Sequence, residues 1–203
     1  MVMAVAVRRF TVDEIERMVQ AGILHEDDRV ELLDGQIVEM SPINPPHASC
    51  VKRLNRLFAP LSARAQATVG IQDPLVLDPH QAPQPDVALL RYRADGYQTR
   101  NPRPPDTFLV IEVADTSVES DRQRKIPLYA RAEIPEAWLV NLPDGGIEIH
   151  SEPHAGAYTS LRTARRGETV SPVAFPRLVL AVDDILGGAP GEASRSPDSL
   201  PAG

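Results

Sequence analysis

The chain has 203 residues, 42% of them hydrophobic, which is enough to bury one substantial core and argues for a single domain over residues 1–186. A formal charge of −7 at pH 7 excludes a protein that coats nucleic acid through bulk positive charge, though not one with a local basic cleft. The single cysteine, Cys50, excludes an intramolecular disulfide and a CxxC-type zinc site, and suits a reducing cytoplasm.

The opening MVMAVAVRRF is too short for a secretory signal, and no run approaches the roughly 18 apolar residues of a membrane helix. A soluble, cytoplasmic protein with no membrane partner is therefore expected. Thr11, followed by Asp13 and Glu14, starts a short amphipathic helix that Gly22 stops. RVELLDGQIVEM then turns at Asp34-Gly35, predicting a β-hairpin with strands over 29–33 and 36–40.

SPINPP is a rigid connector, and from His47 the residues Val51, Leu54, Leu57, Phe58 and Leu61 keep the period of a buried helix face. Pro60 is expected to bend or end that helix. Lys52, Arg53, Arg56 and Arg64 fall off the stripe and make one side of it basic, most simply as a solvated face. ATVGIQ and PLVLD read as a strand or a broken hairpin, and PQPDVALLRY as a strand beginning at Pro85 and Asp86.

TFLVIEV is the most apolar strand, followed by a helix in SDRQRKIPLYARAEI, kinked near Pro127, and a strand in EAWLVN. A turn at Asp144-Gly145-Gly146 leads into GIEIHSE, and YTSLRTAR and LVLAVDDIL close the domain. Strand, helix, strand at this spacing suggests a crossover in a mixed sheet. Twenty Pro, 12 Gly and only 4% aromatic residues also fit a mixed α/β protein whose core is aliphatic. Residues 187–203, GGAPGEASRSPDSLPAG, have almost nothing to bury and are expected to form a disordered tail.

One residue sits where this architecture does not ask for it. Glu112 interrupts the apolar run FLVIEVADTS, and an unpaired buried carboxylate costs several kcal/mol, so it has to be neutralised, paired or bound to a cation. Strand alternation puts Val110, Glu112 and Ala114 on one side and Ile111 and Val113 on the other. If the strand after Asp86 lies beside this one, two carboxylates converge, and like charges that close need a cation or a proton between them. Mg²⁺ is the natural cation, because it takes carboxylate and carbonyl oxygens and keeps waters for chemistry.

Pro85-Asp86, Ile111-Glu112-Val113 closing an apolar strand, Asp121, Lys125 and Tyr129 at four-residue spacing, and then EAWLV form an ordered set. This set resembles the Uma2 family, a branch of the PD-(D/E)XK nuclease superfamily. VELLDGQIVEMSPINPPH, with Glu31, Gly35 and His47, is similar to that family's N-terminal signature. The resemblance implies an α/β restriction-endonuclease-like core, a mixed central sheet flanked by helices, with an N-terminal β-hairpin extension. It implies an endonuclease in which Asp86 and Glu112 hold Mg²⁺, for which Mn²⁺ can substitute, helped by the Val113 carbonyl. DNA is the implied substrate, and a homodimer is expected by analogy of fold, since cutting two strands is most easily done by two sites.

The position two residues after the acid, where the superfamily name expects lysine, is Ala114. In families of this look the lysine comes from the following helix, and Lys125 is the matching residue. A metal lowers the pKa of its bound water, and a lysine beside it can hold that water and shield the developing charge. Catalytic roles are thus expected for Asp86, Glu112 and Lys125, with Glu31, His47 and Asp121 lining the site.

Plainer readings stay open at this stage. Glu112 can pair with Arg122 or Arg124; Lys125 can be a solvated helix residue; and Asp86 can simply turn the chain into its strand. Asp121 can favour a helix N-terminus or orient Lys125; His47 can merely begin its helix; and Glu31 can face water. Trp138 and Tyr129 read as core. Other functions compatible with the chain are a non-catalytic member that binds nucleic acid or protein, and a metal phosphoesterase for a small substrate. Phosphate-binding Gly loops, a Gly-x-Ser-x-Gly elbow and paired metal-binding histidines are absent from the sequence.

Overall fold

A computed structural model describes residues 7–25 and 27–188. Helix α1 (Val12–Gln20) begins with a reciprocal cap: Thr11 Oγ1 accepts the Glu14 amide, and the Glu14 carboxylate accepts the Thr11 amide. Gly22, at φ +69°, follows its end as expected. Strands β1 (Val30–Leu33) and β2 (Gln36–Glu39) form the predicted hairpin. Asp34 and Gly35 take φ 53° and 71°, the left-handed pair that a two-residue hairpin turn with the right twist requires.

The hairpin stands apart from the central sheet. It is tied to the segment before the next strands by the Ala82 amide on the Leu32 carbonyl (2.8 Å) and by the Gln81 side chain on Asp34. Helix α2 (Pro45–Ala63) starts two residues earlier than the periodicity suggests. Asn44 caps it through the His47 amide, and Pro45 and Pro46 fill first-turn positions where no amide partner is needed. Pro60 does not end it: the helix runs on to Ala63, and the Arg64 amide closes it on the Pro60 carbonyl at 3.2 Å.

Six strands make the central sheet in the order β3 (Ala67–Gly70), β4 (Val87–Arg91), β5 (Thr107–Ala114), β6 (Glu136–Asn141), β7 (Gly146–His154) and β8 (Ala157–Arg165). Every neighbouring pair is antiparallel except β5 and β6, which run parallel. A parallel pair needs a crossover, and residues 115–135 supply it. PLVLD forms no strand, only an extended run with an Asp78–Gln81 bridge. LVLAVDDIL divides into a short strand, β10 (Leu180–Ala181), paired with β9 (Thr169–Val170), and a helical turn, α4 (Val182–Leu186).

The sheet is covered on both faces. Leu109, Ile111 and Val113 of β5 pack with Leu54, Phe58 and Leu61 of α2 and Ile185 of α4, around the buried Trp138. Val110 and Ala114 face the other way, toward the crossover residues Ile126, Tyr129 and Ile134. Glu112 belongs by alternation to this second face, as its place in the strand predicts. Among the described residues, no helix is long and apolar enough to cross a membrane. Except for Gly187 and Gly188, the expected tail over 187–203 lies outside the described residues.

The crossover departs from the expected continuous helix. Val118–Ser120 form one helical turn, Asp121–Lys125 a π-helical turn, and Ile126–Arg131 the helix α3. Pro127 has no amide to give the preceding turn, so a kink is displaced upstream into a wider turn closed by the Ile126 amide on the Asp121 carbonyl.

Candidate active site

Glu112 lies two residues before the end of β5, in which only Phe108 is not fully buried, and is itself only 2% exposed. Its two oxygens are shared out: Tyr129 Oη donates to Oε1 at 2.5 Å, and Lys125 Nζ donates to Oε2 at 3.3 Å. Neither arginine of the plainer reading is the partner, since Arg122 is engaged by Glu148 and Glu119 and Arg124 is exposed.

Asp86 stands one residue before β4, so the strand begins at Val87 rather than at Pro85. Val87 pairs with Ile111, so the antiparallel register continued by one residue brings Asp86 opposite Glu112. There its carboxylate takes over from the ladder: Oδ2 accepts the Val113 amide at 2.8 Å. His47 Nε2 lies 3.0 Å from the same oxygen, and Gln72 Nε2 donates to Oδ1 at 2.9 Å. Asp86 thus does more than turn the chain, and His47 does more than begin a helix.

Lys125 comes from the π-helical turn and points into the sheet rather than into water. Its Nζ donates to Glu31 Oε1 at 2.8 Å as well as to Glu112, and the same Glu31 oxygen accepts the Gln84 amide at 3.0 Å. Glu31 is therefore buried at the hairpin's inner face and does not face water. Asp121 begins the π-turn, buried, with Ser117 Oγ donating to it at 2.6 Å. All six sequence-predicted residues, Glu31, His47, Asp86, Glu112, Asp121 and Lys125, line one cleft between the hairpin and the end of β5. Arg29 and Arg124 stand at the same cleft.

Four carboxylates around one lysine set the electrostatics. Burial pushes Glu112 well above the ordinary glutamate range; Lys125 pulls it back, and Asp121, Asp86 and Glu31 push it up further. Burial opposes the charge on Lys125, but Glu112, Glu31 and Asp121 outweigh it and hold the ammonium on. Asp86 differs from Glu112: burial raises it, yet His47, Gln72 and the Val113 amide overcome this and leave it below the usual aspartate value. Burial raises Asp121. The cleft therefore holds one firmly ionised aspartate beside a glutamate whose charge wants a cation.

The sequence pattern of the Uma2 family, described as "Putative restriction endonuclease", matches residues 12–183. The chain belongs to the Uma2 family. Its fold is shared with a solved structure, a "putative nuclease belonging to DUF820" from Anabaena variabilis. That structure matches at a TM-score of 0.67 and 15% identity over 87% of this chain and 97% of the other. No curated protein matches the chain.

Around the cleft residues, the structure adds contacts that the sequence did not assign. Gln72 holds Asp86 from a residue at φ 55°, in the loop after β3, and nothing in its local sequence announces that reach. Tyr129 is core, as expected, but its hydroxyl is also the partner of Glu112; its place four residues after Lys125 was the available signal. Among the described residues, His47 Nδ1 is buried without a hydrogen-bond partner.

Proposed function

We propose that the chain is a divalent-metal-dependent endonuclease that hydrolyses phosphodiester bonds of DNA, with Mg²⁺ as the metal and Mn²⁺ able to replace it. The observation that carries this reading is the meeting of Asp86, Glu112 and a lysine from a different element, Lys125, at one strand end. An enzyme needing only a structural ion pair has no use for a second carboxylate and two further acids at the same place.

The donor set fits a hard cation. All the candidate ligands are oxygens, and negative charge exceeds positive among the buried groups. Among the described residues, no three His, Cys, Asp or Glu side chains form a ligand group by themselves. The fitting set is two carboxylates, Asp86 and Glu112, with the Val113 carbonyl and water, which suits an ion that retains several waters. When bound, such an ion supplies Lewis-acid polarisation of the phosphoryl oxygen and a more acidic water.

The chain's own residues then have distinct tasks. Asp86, kept ionised by His47, Gln72 and the Val113 amide, offers a fixed anionic oxygen. Lys125, kept protonated by its acidic neighbours, places a positive charge where negative charge develops on phosphate and can hold the attacking water. Glu31 and Asp121 line the cleft and keep Lys125 charged. Arg29 and Arg124 at the rim offer contacts for the backbone of a DNA strand despite the acidic overall charge. A homodimer acting in the cytoplasm completes the proposal.

The test is nicking of supercoiled plasmid with Mg²⁺ or Mn²⁺ by wild type, Glu112→Gln and Lys125→Ala, each with folding verified. Loss of nicking in both variants supports the reading. Equal nicking by all three would refer the activity elsewhere, and no nicking with no divalent-ion binding by calorimetry would leave a non-catalytic binding module.

A further inference from the structure

One rung of the central sheet runs beneath the lysine's turn. Glu112 on β5 is paired with Leu139 on β6, and Leu139 with Glu148 on β7, so the two carboxylates stand on one face, two strands and about 10 Å apart. Leu139 between them is fully buried. The π-helical turn is fastened to both ends of this rung. At one end Lys125 donates to Glu112; at the other Arg122 makes a two-point contact with Glu148, Nη2 to Oε1 at 2.6 Å and Nε to Oε2 at 3.2 Å.

The width of the turn makes this geometry available. In an α-helix, residues three apart lie on the same side, which would bring the Arg122 and Lys125 side chains together. The wider turn closed by Ile126 on Asp121 parts them, so that one cation reaches β5 and the other β7. Glu148 is well covered, with a side-chain exposure of 15%, and His150 Nε2 lies 3.6 Å from it on the same face of β7. Neither Arg122 nor Glu148 lines the cleft.

We infer that Arg122 and Glu148 are positioning residues: their two-point contact sets the rotation of the π-helical turn and so the direction of Lys125. The inference rests on Lys125 acting in the cleft, but its geometry can be tested without any reaction. Arg122 also binds Glu119 at 2.7 Å, but that carboxylate is 65% exposed and lies on the same helical segment, so it cannot fix the turn against the sheet.

The chain has two lysines, Lys52 and Lys125, so protein labelled with ¹³C at the lysine ε-carbon gives two NMR signals, which Lys52→Arg assigns. In the metal-free protein, Glu148→Gln and Arg122→Gln are each expected to shift the Lys125 signal while the Lys52 signal stays. The exchanged pair, Arg122→Glu with Glu148→Arg, is expected to return it toward its original position, and Glu119→Gln to leave it in place. In plasmid nicking, kcat is expected to fall up to about a hundredfold in the two single variants, with KM unchanged, as small misplacements of a reacting group do.

Because Arg122 is partly exposed, Arg122→Gln serves if Glu148→Gln does not fold. An unmoved Lys125 signal in the folded single variants would overturn the inference. A moved signal in a protein whose wild type cuts nothing would uphold the positioning and retire the nuclease reading instead.

Discussion

Lys125 Nζ lies closer to Glu31 of the N-terminal hairpin, at 2.8 Å, than to Glu112 of the central strand, at 3.3 Å. The hairpin, which takes no part in the six-stranded sheet, therefore contributes the nearest anion to the lysine. If a cation occupies Glu112, Glu31 remains to hold the ammonium in the cleft. Glu31→Gln is expected to lower the nicking rate by about tenfold to a hundredfold, while Mg²⁺ binding measured by calorimetry persists. It should also cost on the order of 1–3 kcal/mol in urea unfolding, since it leaves a buried ammonium with one anion fewer. Nicking at the wild-type rate would remove Glu31 from the site.

Asp86→Asn separates ligation from architecture. The carboxylate accepts three hydrogen-bond contacts, and an amide nitrogen in either position would face a donor from Val113 or Gln72. A loss of about 1–3 kcal/mol of stability is expected, together with loss of the calorimetric Mg²⁺ signal and of nicking. Undiminished ion binding by a folded Asp86→Asn protein would exclude it as a ligand.

Much of this site was legible because it is built from short, regular signals. Asp34-Gly35 announces the hairpin, and the apolar run around Glu112 announces a buried strand with a misplaced charge. Asp86 and Glu112 could be brought together on the sequence only if their strands were neighbours, which the β4–β5 register fulfils, and Lys125 joined them only through the resemblance to the Uma2 family. What could not be read is what depends on side-chain reach across chain-distant elements. Glu31 and Lys125 are 94 residues apart, and no local pattern tells a hairpin glutamate that faces water from one that faces a lysine. Nor does SDRQRKIP disclose a π-helical turn: Pro127 signals a disturbance, but where the helix absorbs it depends on the tertiary contacts of Asp121 and Arg122.

Glu136 provides a pH test away from the cleft. Its Oε1 accepts Trp138 Nε1 at 2.8 Å and its Oε2 the Val173 amide at 2.7 Å, yet burial outweighs both and raises its pKa above 4.5. A carboxyl whose folded pKa is raised contributes stability below its unfolded value that is lost as pH rises through the folded one. In urea titrations between pH 4 and pH 7, wild type is therefore expected to lose stability relative to Glu136→Gln as pH increases. The constant offset from mismatched donors does not matter; the slope of the difference does. A flat difference would mean that Glu136 titrates as it does in the unfolded chain.

Gly35→Ala tests whether the hairpin's shape reaches the cleft. Gly35 has φ +71°, where a side chain is strained, and a Cβ there would meet Arg9 Cβ at 2.5 Å and its Cα at 2.9 Å, so the backbone has to move. The turn is also stitched to its surroundings by the Phe10 amide on the Gly35 carbonyl at 2.8 Å and by the Gly35 amide on the His80 carbonyl at 2.9 Å. A cost of about 1–3 kcal/mol is expected, with the strain passed along the three paired positions that lead from the turn to Glu31. Nicking should fall by more than the loss of folded protein accounts for. Full activity in the folded fraction would show that the turn and the Glu31–Lys125 contact are mechanically independent.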